Sequence, residues 1–193
     1  MLRTTGVVLA GGQGSRMGGV DKGLQPFRGK PMVAHAIERL APQVGELLIN
    51  ANRNPEAYAQ FGYRVIADEI EGFAGPLAGF ERGLAHASGD LVVTVPCDSP
   101  FLPADLVARL REALERASAD LAVAKTGEQA HPVFSLMRRG VHASLVQFLS
   151  GGQRKIDKWY GALKVIEVAF DDEAEAFLNI NTREELASLE PRA

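Results

Sequence analysis

The feature that most constrains this chain is an apolar run near its beginning that stops in a glycine-rich, basic loop. Residues 5–10 are mostly apolar, as expected for a buried parallel strand, and residues 11–14 read Gly-Gly-Gln-Gly. Glycine lets the backbone turn tightly and approach a ligand, because no Cβ stands in the way. Exposed backbone N–H groups in such a loop favour anions, and Arg16 and Lys22 add positive charge. The sequence therefore predicts a polyphosphate site in a nucleotide-using enzyme.

The spacing of the loop argues against two common phosphate-binding motifs. A P-loop needs Gly-Lys-Ser/Thr four residues after a first glycine. Pro31 follows Gly-Lys at residues 29–30, and Leu24 stands at the first glycine position. A dinucleotide fingerprint, Gly-x-Gly-x-x-Gly/Ala, begins at Gly12, but Met17 occupies its third position. A nicotinamide-dependent oxidoreductase is therefore disfavoured.

Strand and helix patterns alternate along most of the chain, which predicts an α/β fold. We expect a Rossmann-like, three-layer α/β/α architecture with a mostly parallel sheet and helices on both faces. Strands are predicted at residues 5–10, 46–51, 64–67, 91–95, 121–124, 133–137 and 164–168, and helices at 31–40, 55–61, 77–87, 103–117, 141–149 and 182–189. The length of 193 residues predicts a single domain, 1–193, with a nucleotide-binding part at 1–125 and an acceptor-side part at 126–193.

Composition argues against several other classes of protein. The net charge of -3 and the pI near 5.8 do not suit general nucleic-acid binding, which needs a broad basic face. The single cysteine, Cys97, rules out a disulfide framework and is expected to be a small buried residue, and the four histidines lack metal-ligand spacing. No segment has the length of a membrane span, and no secretory signal precedes the glycine loop. We therefore expect a cytoplasmic protein that binds neither nucleic acid nor membranes.

A candidate metal ligand follows the apolar run at residues 91–95. Residues 96–100 read Pro-Cys-Asp-Ser-Pro, so Asp98 lies just past the carboxyl end of a predicted strand. Ligands bind outside this end of the strands in open α/β sheets, which places Asp98 beside the glycine loop. A triphosphate needs a divalent cation, and a hard cation such as Mg²⁺ prefers carboxylate oxygens. Asp98 is thus a predicted Mg²⁺ ligand, with an ordinary turn aspartate as the alternative.

Two further strand ends carry polar side chains. Asn50 ends the strand predicted at 46–51, and an asparagine can pair with both donors and acceptors of a nucleotide base. Asp68 ends the short strand that begins at Arg64. A second glycine-bearing turn, Gly-Pro-Leu-Ala-Gly at 75–79, then leads into a helix. By position this turn closes over a base or ribose, or it is an ordinary strand–helix connection. The residues alone leave both open.

The residues from 9 to 24, LAGGQGSRMGGVDKGL, resemble the signature of nucleotidyltransferases with a GT-A-like fold, and MGGVDKGL is similar to the molybdenum cofactor guanylyltransferase (MobA) family. Similar motifs follow as PCDSPFLP at 96–103, HPVFSL at 131–136 and NINT at 179–182, and the segment from Asp68 to Gly79 resembles a guanine-binding segment of that family. The resemblance covers essentially the whole chain. Arg183 departs from it, since a proline is usual there.

The resemblance implies transfer of GMP from GTP to the terminal phosphate of Mo-molybdopterin, with Mg²⁺ as the cofactor and pyrophosphate as the second product. Proteins that deliver the cofactor, and molybdoenzymes that receive it, are implied as further partners. With the residue patterns, it predicts Arg16, Lys22 and Asp98 as catalytic residues and Leu9, Ala10, Gly11, Gly12, Gly14, Lys22, Asn50, Asp68, Gly79 and Asp98 as GTP-binding residues. It places His131, Arg154, Lys155, Asn179 and Asn181 on the acceptor side. Arg154 and Lys155 supply positive charge for an anionic acceptor, or form a solvated loop.

Other functions share these sequence features. A related nucleotidyltransferase that uses CTP or another phosphorylated acceptor has the same fold and the same kind of glycine loop, and fold does not fix substrate. A non-catalytic nucleotide-binding adaptor in cofactor delivery is a different class. An adaptor would not need a metal-binding carboxylate, so Asp98 favours an enzyme.

Overall fold

The structure, a computed structural model, describes residues 2–10, 21–69 and 75–178. The strands are β1 (Thr4–Leu9), β2 (Pro26–Phe27), β3 (Lys30–Pro31), β4 (Glu46–Asn50), β5 (Arg64–Ile66), β6 (Leu91–Pro96), β7 (Leu121–Thr126), β8 (Gln129–Arg138) and β9 (Val165–Ala169). The α-helices are α1 (Met32–Leu40), α2 (Pro55–Ala59), α3 (Pro76–His86), α4 (Leu106–Arg116), α5 (His142–Ser150) and α6 (Ile156–Tyr160). Short 3-10 helices lie at Lys22–Leu24, Ala41–Gln43, Arg139–Val141 and Asp171–Phe177. No helix in these ranges is long and apolar enough to cross a membrane.

One sheet organises the fold, with the strand order β5-β4-β1-β6-β8-β7-β9, while β2 and β3 form a separate hairpin. Within the sheet, β1 is parallel to β4 and β6, β4 to β5, and β7 to β9. Strand β8 is antiparallel to both of its neighbours, β6 and β7. The predicted mostly parallel sheet is therefore confirmed. The carboxyl ends of the parallel strands and the start of β8 share one edge, which we call the carboxyl edge.

Helices pack on both faces of this sheet, as the alternation of side chains along the strands requires. On β1, Val8 belongs to a buried cluster with residues of α1 and α4, whereas Val7 belongs to a second cluster with residues of α3 and α5. On β7, Ala122 belongs to the first of these clusters and Val123 to the second. Strands buried on both faces explain why the predicted strands read as continuous apolar runs. The three-layer prediction is confirmed.

Strand β8 is longer than predicted and contains a bulge. Val123 of β7 lies opposite Ser135, but the next residue, Ala124, lies opposite His131, so residues 132–134 have no partner on β7. The Tyr160 hydroxyl donates to the Pro132 carbonyl at 2.6 Å, which gives one of the freed backbone groups a partner. Bulges are common beside functional sites because they redirect a strand. Here the bulge lies immediately after His131 at the carboxyl edge.

The other differences from the prediction concern short elements. The hairpin of β2 and β3, the five-residue helix α6 and the 3-10 helix Asp171–Phe177 were not predicted. Most predicted helices and strands begin and end within about three residues of the observed bounds, which is the usual uncertainty of element ends. The helix predicted at 182–189 lies outside the described residues.

Candidate functional site

The carboxyl edge brings together the polar residues that the sequence places at strand ends. Backbone hydrogen bonds continue past the strands, from Ala10 N to Asn50 O at 2.7 Å and from Cys97 N to Leu9 O at 3.1 Å. These bonds fix the ends of β1, β4 and β6 side by side. Leu9 and Ala10 consequently lie between Asn50 on one side and the segment that carries Asp98 on the other.

Lys22 and Asp98 form an ion pair at this edge. The Lys22 Nζ donates to Asp98 Oδ2 at 3.1 Å, and the two side chains are only 20% and 14% exposed. The partners are 76 residues apart in the chain, one after the glycine loop and the other after β6. The structure thus places a cation and a carboxylate together where the sequence predicts a metal-bound triphosphate. Their roles in catalysis stay predictions.

Asp98 has the chemistry of a ligand for a hard divalent cation that also binds phosphate. Within residues 2–10, 21–69 and 75–178, no group of three or more His, Cys, Asp or Glu side chains could hold a metal ion. A cage built from His, Cys, Asp and Glu side chains alone is therefore not present in that part of the chain. Mg²⁺ is commonly bound through one or two carboxylates together with substrate phosphates. A single, partly buried carboxylate beside a lysine fits that mode.

Two residues that sequence reasoning did not assign to the site, Asn54 and Tyr58, hold Asp21, which directly precedes Lys22. The side chain of Asp21 accepts hydrogen bonds from the Tyr58 hydroxyl and from Asn54 Nδ2, the latter at 3.0 Å. Burial raises the pKa of Tyr58, and the neighbouring Asp21 carboxylate raises it further, so the hydroxyl keeps its proton. The sequence gives no spacing signal for these contacts, since Asn54 and Tyr58 lie 33 and 37 residues from Asp21.

Asn50 and Asp68, both predicted to bind the nucleotide, contact each other. Asn50 is 2% exposed, and its Nδ2 donates to Asp68 Oδ1 at 2.9 Å. The other oxygen, Asp68 Oδ2, accepts from Asn52 Nδ2 at 2.7 Å, while Asn52 Oδ1 accepts from the Asp68 N–H at 2.8 Å. Each carboxylate oxygen has a second lone pair, so the Asp68 carboxylate can still accept from a ligand. Asn52 is thus tied to a predicted site residue.

Gly79 lets helix α3 pack tightly against this group. A Cβ on Gly79 would lie 2.6 Å from Asn50 Oδ1 and 2.7 Å from Leu9 Cδ2, and real side chains do not approach this closely. Gly75, just before the helix, has φ 59° and ψ -151°, a conformation that is essentially restricted to glycine. The glycines of this turn therefore have a steric role. Contact of Gly79 with the nucleotide stays a prediction.

His131 lies at the start of β8, at the carboxyl edge. Its Nε2 is 2.7 Å from Thr126 Oγ1, and its ring stacks on Phe177 with a centroid distance of 4.8 Å. Burial lowers the pKa of His131, which favours the neutral ring. These contacts account for the side chain structurally, and its predicted role on the acceptor side is not tested by them.

Arg154 and Lys155 occupy a different part of the fold. Arg154 Nη1 donates to the carbonyl oxygens of Leu149 and Gln153, at 2.9 and 2.7 Å, and Lys155 is exposed. In the part of the chain that the structure describes, no hydrogen bond or ion pair joins either residue to His131. The predicted acceptor-side residues are therefore not brought into contact, and their roles stay predictions.

The remaining predicted site residues lie outside the described residues. They are Gly11, Gly12, Gly14, Arg16, Asn179 and Asn181.

Comparison with known proteins decides the family. A family model described as the MobA-like NTP transferase domain matches residues 6–165. The chain belongs to this family. The molybdenum cofactor guanylyltransferase of Cupriavidus necator is 55% identical over 193 residues, covering 97% of this chain and 96% of that protein. The protein of the same name from Shewanella amazonensis is 53% identical, with the same coverage.

A solved structure has the same fold as this chain. The crystal structure of molybdopterin-guanine dinucleotide biosynthesis protein A from Archaeoglobus fulgidus aligns with a TM-score of 0.80 and 24% identity, covering 96% of this chain and 95% of that one. At this identity the likeness supports the architecture alone. The predicted fold class and the resemblance noted in the sequence are both confirmed.

Proposed function

We propose that this chain transfers GMP from GTP to the terminal phosphate of Mo-molybdopterin, forming molybdopterin guanine dinucleotide and pyrophosphate. Membership of the MobA-like family and the names of the relatives support the reaction. The observation that carries the assignment of the site is the partly buried Lys22–Asp98 pair at the carboxyl edge. It supplies the two charges that a metal-bound triphosphate needs, a cation for phosphate and a carboxylate for the metal.

The chemistry requires placement and charge neutralisation more than an activated side chain. The terminal phosphate of the acceptor is already an anionic nucleophile near neutral pH, so no serine, cysteine or histidine has to be deprotonated. Cys97 agrees with this view, because burial raises the pKa of its thiol. Donor and acceptor both carry negative charge, so cationic groups must offset their repulsion as the guanylyl group is transferred and pyrophosphate leaves. Lys22 supplies that charge, together with Arg16.

Asp98 would hold the Mg²⁺ that accompanies GTP. When bound, Mg²⁺ neutralises charge on phosphate oxygens. The chain's own part is to keep the Asp98 carboxylate in place at the carboxyl edge. The Lys22 ammonium does this through its contact at 3.1 Å, and a charge-assisted hydrogen bond of this kind is stronger than one between neutral groups.

The guanosine part of GTP is proposed to lie against Asn50 and Asp68. Guanine offers two N–H donors on its base-pairing edge, and the Asp68 carboxylate is an acceptor with lone pairs to spare. Asn50 is buried behind it and donates to the same carboxylate. A carboxylate suits two adjacent donors, such as the N1–H and 2-amino groups of guanine, whereas adenine presents one donor beside an acceptor at this edge.

The two substrates are proposed to bind to different parts of the chain, which meet at about residue 125. Lys22, Asn50, Asp68 and Asp98 all precede that point, in the part assigned to GTP. The part from 126 to 193, with His131 at its beginning, is assigned to Mo-molybdopterin. Proteins that deliver the cofactor or receive the product remain predictions from the sequence.

The experiment is an assay of the purified chain with GTP, Mg²⁺ and Mo-molybdopterin. We expect release of pyrophosphate and a guanylylated pterin detected by mass spectrometry, both abolished when EDTA removes the metal. CTP in place of GTP should give no product. A clear preference for CTP would instead indicate a related nucleotidyltransferase. If calorimetry shows that GTP binds but the assay with Mo-molybdopterin gives no product, the chain would be a nucleotide-binding adaptor.

A further inference from the structure

We propose that Asp21, Asn54 and Tyr58 form a clamp that positions Lys22 for GMP transfer. We call these three residues the Asp21 clamp. They are positioning residues, since their side chains contact one another and the backbone around Lys22. The inference rests on the proposed function, because the catalytic part played by Lys22 belongs to that proposal.

Both oxygens of the Asp21 carboxylate are engaged by separate groups of one small element. Tyr58, on α2, donates its hydroxyl to Oδ1, and Asn54, directly before α2, donates Nδ2 to Oδ2 at 3.0 Å. Tyr58 is fully buried, so packing around its ring holds the hydroxyl group in place. Hydrogen bonds to a charged acceptor are stronger than neutral ones. The residue next to Lys22 is therefore held from two directions.

The two polar residues of the clamp are in positions where such side chains usually cap a helix. Asp21 precedes the 3-10 helix Lys22–Leu24, and Asn54 precedes α2, yet neither side chain makes a capping hydrogen bond. Asn54 also adopts a left-handed backbone conformation, with φ 48°. Capping by Asp or Asn is ordinarily favourable. Here the Asp21 and Asn54 side chains bind each other instead. This indicates that the contact between them has replaced the capping hydrogen bond that each could make to its own helix.

The backbone on the other side of Lys22 fits closely against the same tyrosine. A Cβ on Gly23 would stand 2.4 Å from the Tyr58 hydroxyl oxygen, so only glycine lets the backbone at position 23 lie this close to Tyr58. The Asp21 carbonyl accepts from Leu24 N at 3.3 Å, and the Lys22 carbonyl accepts from Gln25 N at 3.1 Å. Residues 21–25 thus form a tight turn seated on Tyr58.

A lysine needs such support to act at a defined place. Its side chain is a flexible four-carbon stem, so the position of its backbone determines which atoms the ammonium group reaches. With the turn seated on α2, Lys22 Nζ reaches Asp98 Oδ2 at 3.1 Å, across to the end of β6. Small displacements of a catalytic group lower rates strongly, by up to about 100-fold for 1 Å. The clamp therefore acts on the rate through Lys22.

The first test is Tyr58→Phe, which removes the hydroxyl and leaves the ring in place. We expect kcat for GMP transfer to fall by about 10- to 100-fold, with an unchanged KM for Mo-molybdopterin. Tyr63→Phe is the matched control, because the Tyr63 hydroxyl makes no hydrogen bond within the part of the chain that the structure describes, and it should retain wild-type kcat. Assays are run below the melting temperature of every variant. Wild-type kcat in Tyr58→Phe would overturn the clamp.

A double-mutant cycle separates positioning from general damage. In a Lys22→Ala background, Tyr58→Phe should lower kcat no further, because the group it positions is gone. The same fold loss in both backgrounds would show that the hydroxyl acts elsewhere, and would contradict the inference.

A donor–acceptor exchange provides the rescue. Asn54→Asp sets two carboxylates against each other and should lower kcat. Adding Asp21→Asn restores one donor and one acceptor, while the amide oxygen that this second change introduces still accepts from Tyr58. The double variant should therefore regain most of the lost kcat. No recovery over Asn54→Asp alone would overturn the proposal.

Hydrogen exchange tests the clamp without any turnover. The amides of Leu24 and Gln25 should exchange faster in Tyr58→Phe than in the wild type, while amides of β1 keep their protection. Unchanged protection at Leu24 and Gln25 would refute the clamp, whatever the assay gives. A wild-type chain with no transfer activity would instead count against the proposed function, and the exchange result would still decide about the clamp.

Discussion

Gly79 of α3 lies so close to Asn50 of β4 that a Cβ on the glycine would stand 2.6 Å from the asparagine Oδ1. Asn50 in turn donates to Asp68 at 2.9 Å. The approach of one helix to the sheet thus fixes the side chain that orients a predicted nucleotide contact. Packing and binding are coupled at a single residue.

Gly79→Ala is expected to disturb both. The added methyl group must push Asn50 or Leu9 aside or move α3, and overpacking of this kind costs about 1–3 kcal/mol of unfolding free energy. Affinity for GTP should fall as the contact between Asn50 and Asp68 is strained. Urea unfolding and calorimetric titration with GTP measure the two effects. Gly140→Ala is the control, since a Cβ there meets nothing within 4 Å. Full GTP affinity in Gly79→Ala would show that Asn50 is not held in this way.

Lys22→Met and Asp98→Asn should each lower kcat by about 100-fold or more while leaving the fold intact. Charge stabilisation by one preorganised group is commonly of that size. Both side chains are largely buried, so each substitution leaves a charge without its partner and should also lower the unfolding free energy, and kcat is compared below the melting temperature of each variant. Circular dichroism and thermal melts check the fold, and pyrophosphate release checks turnover. Lys30→Met, which breaks the exposed pair of Lys30 with Glu38, is the control and should keep wild-type kcat. Wild-type turnover by either site variant would remove the basis of the mechanism.

The sequence was sufficient to predict where those candidate site residues that follow strands lie in the fold. Asn50, Asp68 and Asp98 each lie at or just past the end of a parallel strand, and parallel strands deliver their carboxyl ends to one edge. Their neighbourhood follows from topology alone. Lys22 was found by its charge and its place in the glycine loop, and the structure pairs it with Asp98.

The Asp21 clamp and the bulge in β8 were beyond the reach of sequence patterns. Tyr58 contacts Asp21 from a five-residue helix and Asn54 from the position directly before it, and so short a helix shows no helical period. The bulge depends on Thr94 and Tyr160, which donate to the carbonyls of Val133 and Pro132 from distant parts of the chain. Contacts of this kind depend on how whole elements pack, whereas periodicity reports only which face of one element is buried.

His131 should give the protein a stability that declines in acid. Burial lowers the pKa of His131 below its ordinary value of 6.5 in the folded state, whereas the unfolded chain keeps the ordinary value. The contribution is therefore fully present above pH 6.5 and is lost as the pH falls from 6.5 through the folded-state pKa, because the unfolded state takes up the proton first.

Urea unfolding of the wild type and of His131→Asn, at about pH 7.5 and 5.5, measures the contribution of His131 to the unfolding free energy. The wild type should lose more unfolding free energy between the two pH values than the variant, which has no titrating ring at this position. Histidine signals followed by NMR should show His131 titrating below 6.5. A titration midpoint above that value would contradict the burial argument.

Cys97 should be dispensable for the chemistry although it lies beside Asp98. Burial raises the pKa of its thiol, so the thiolate needed for nucleophilic attack is absent at neutral pH. Cys97→Ala should therefore keep wild-type kcat for GMP transfer and lose only a small part of the unfolding free energy, about 1 kcal/mol, from the vacated core volume. Iodoacetamide should fail to label the native wild type and should label it after unfolding in urea. A loss of turnover in Cys97→Ala with an unchanged melting temperature would contradict the expectation that the thiol is dispensable for turnover.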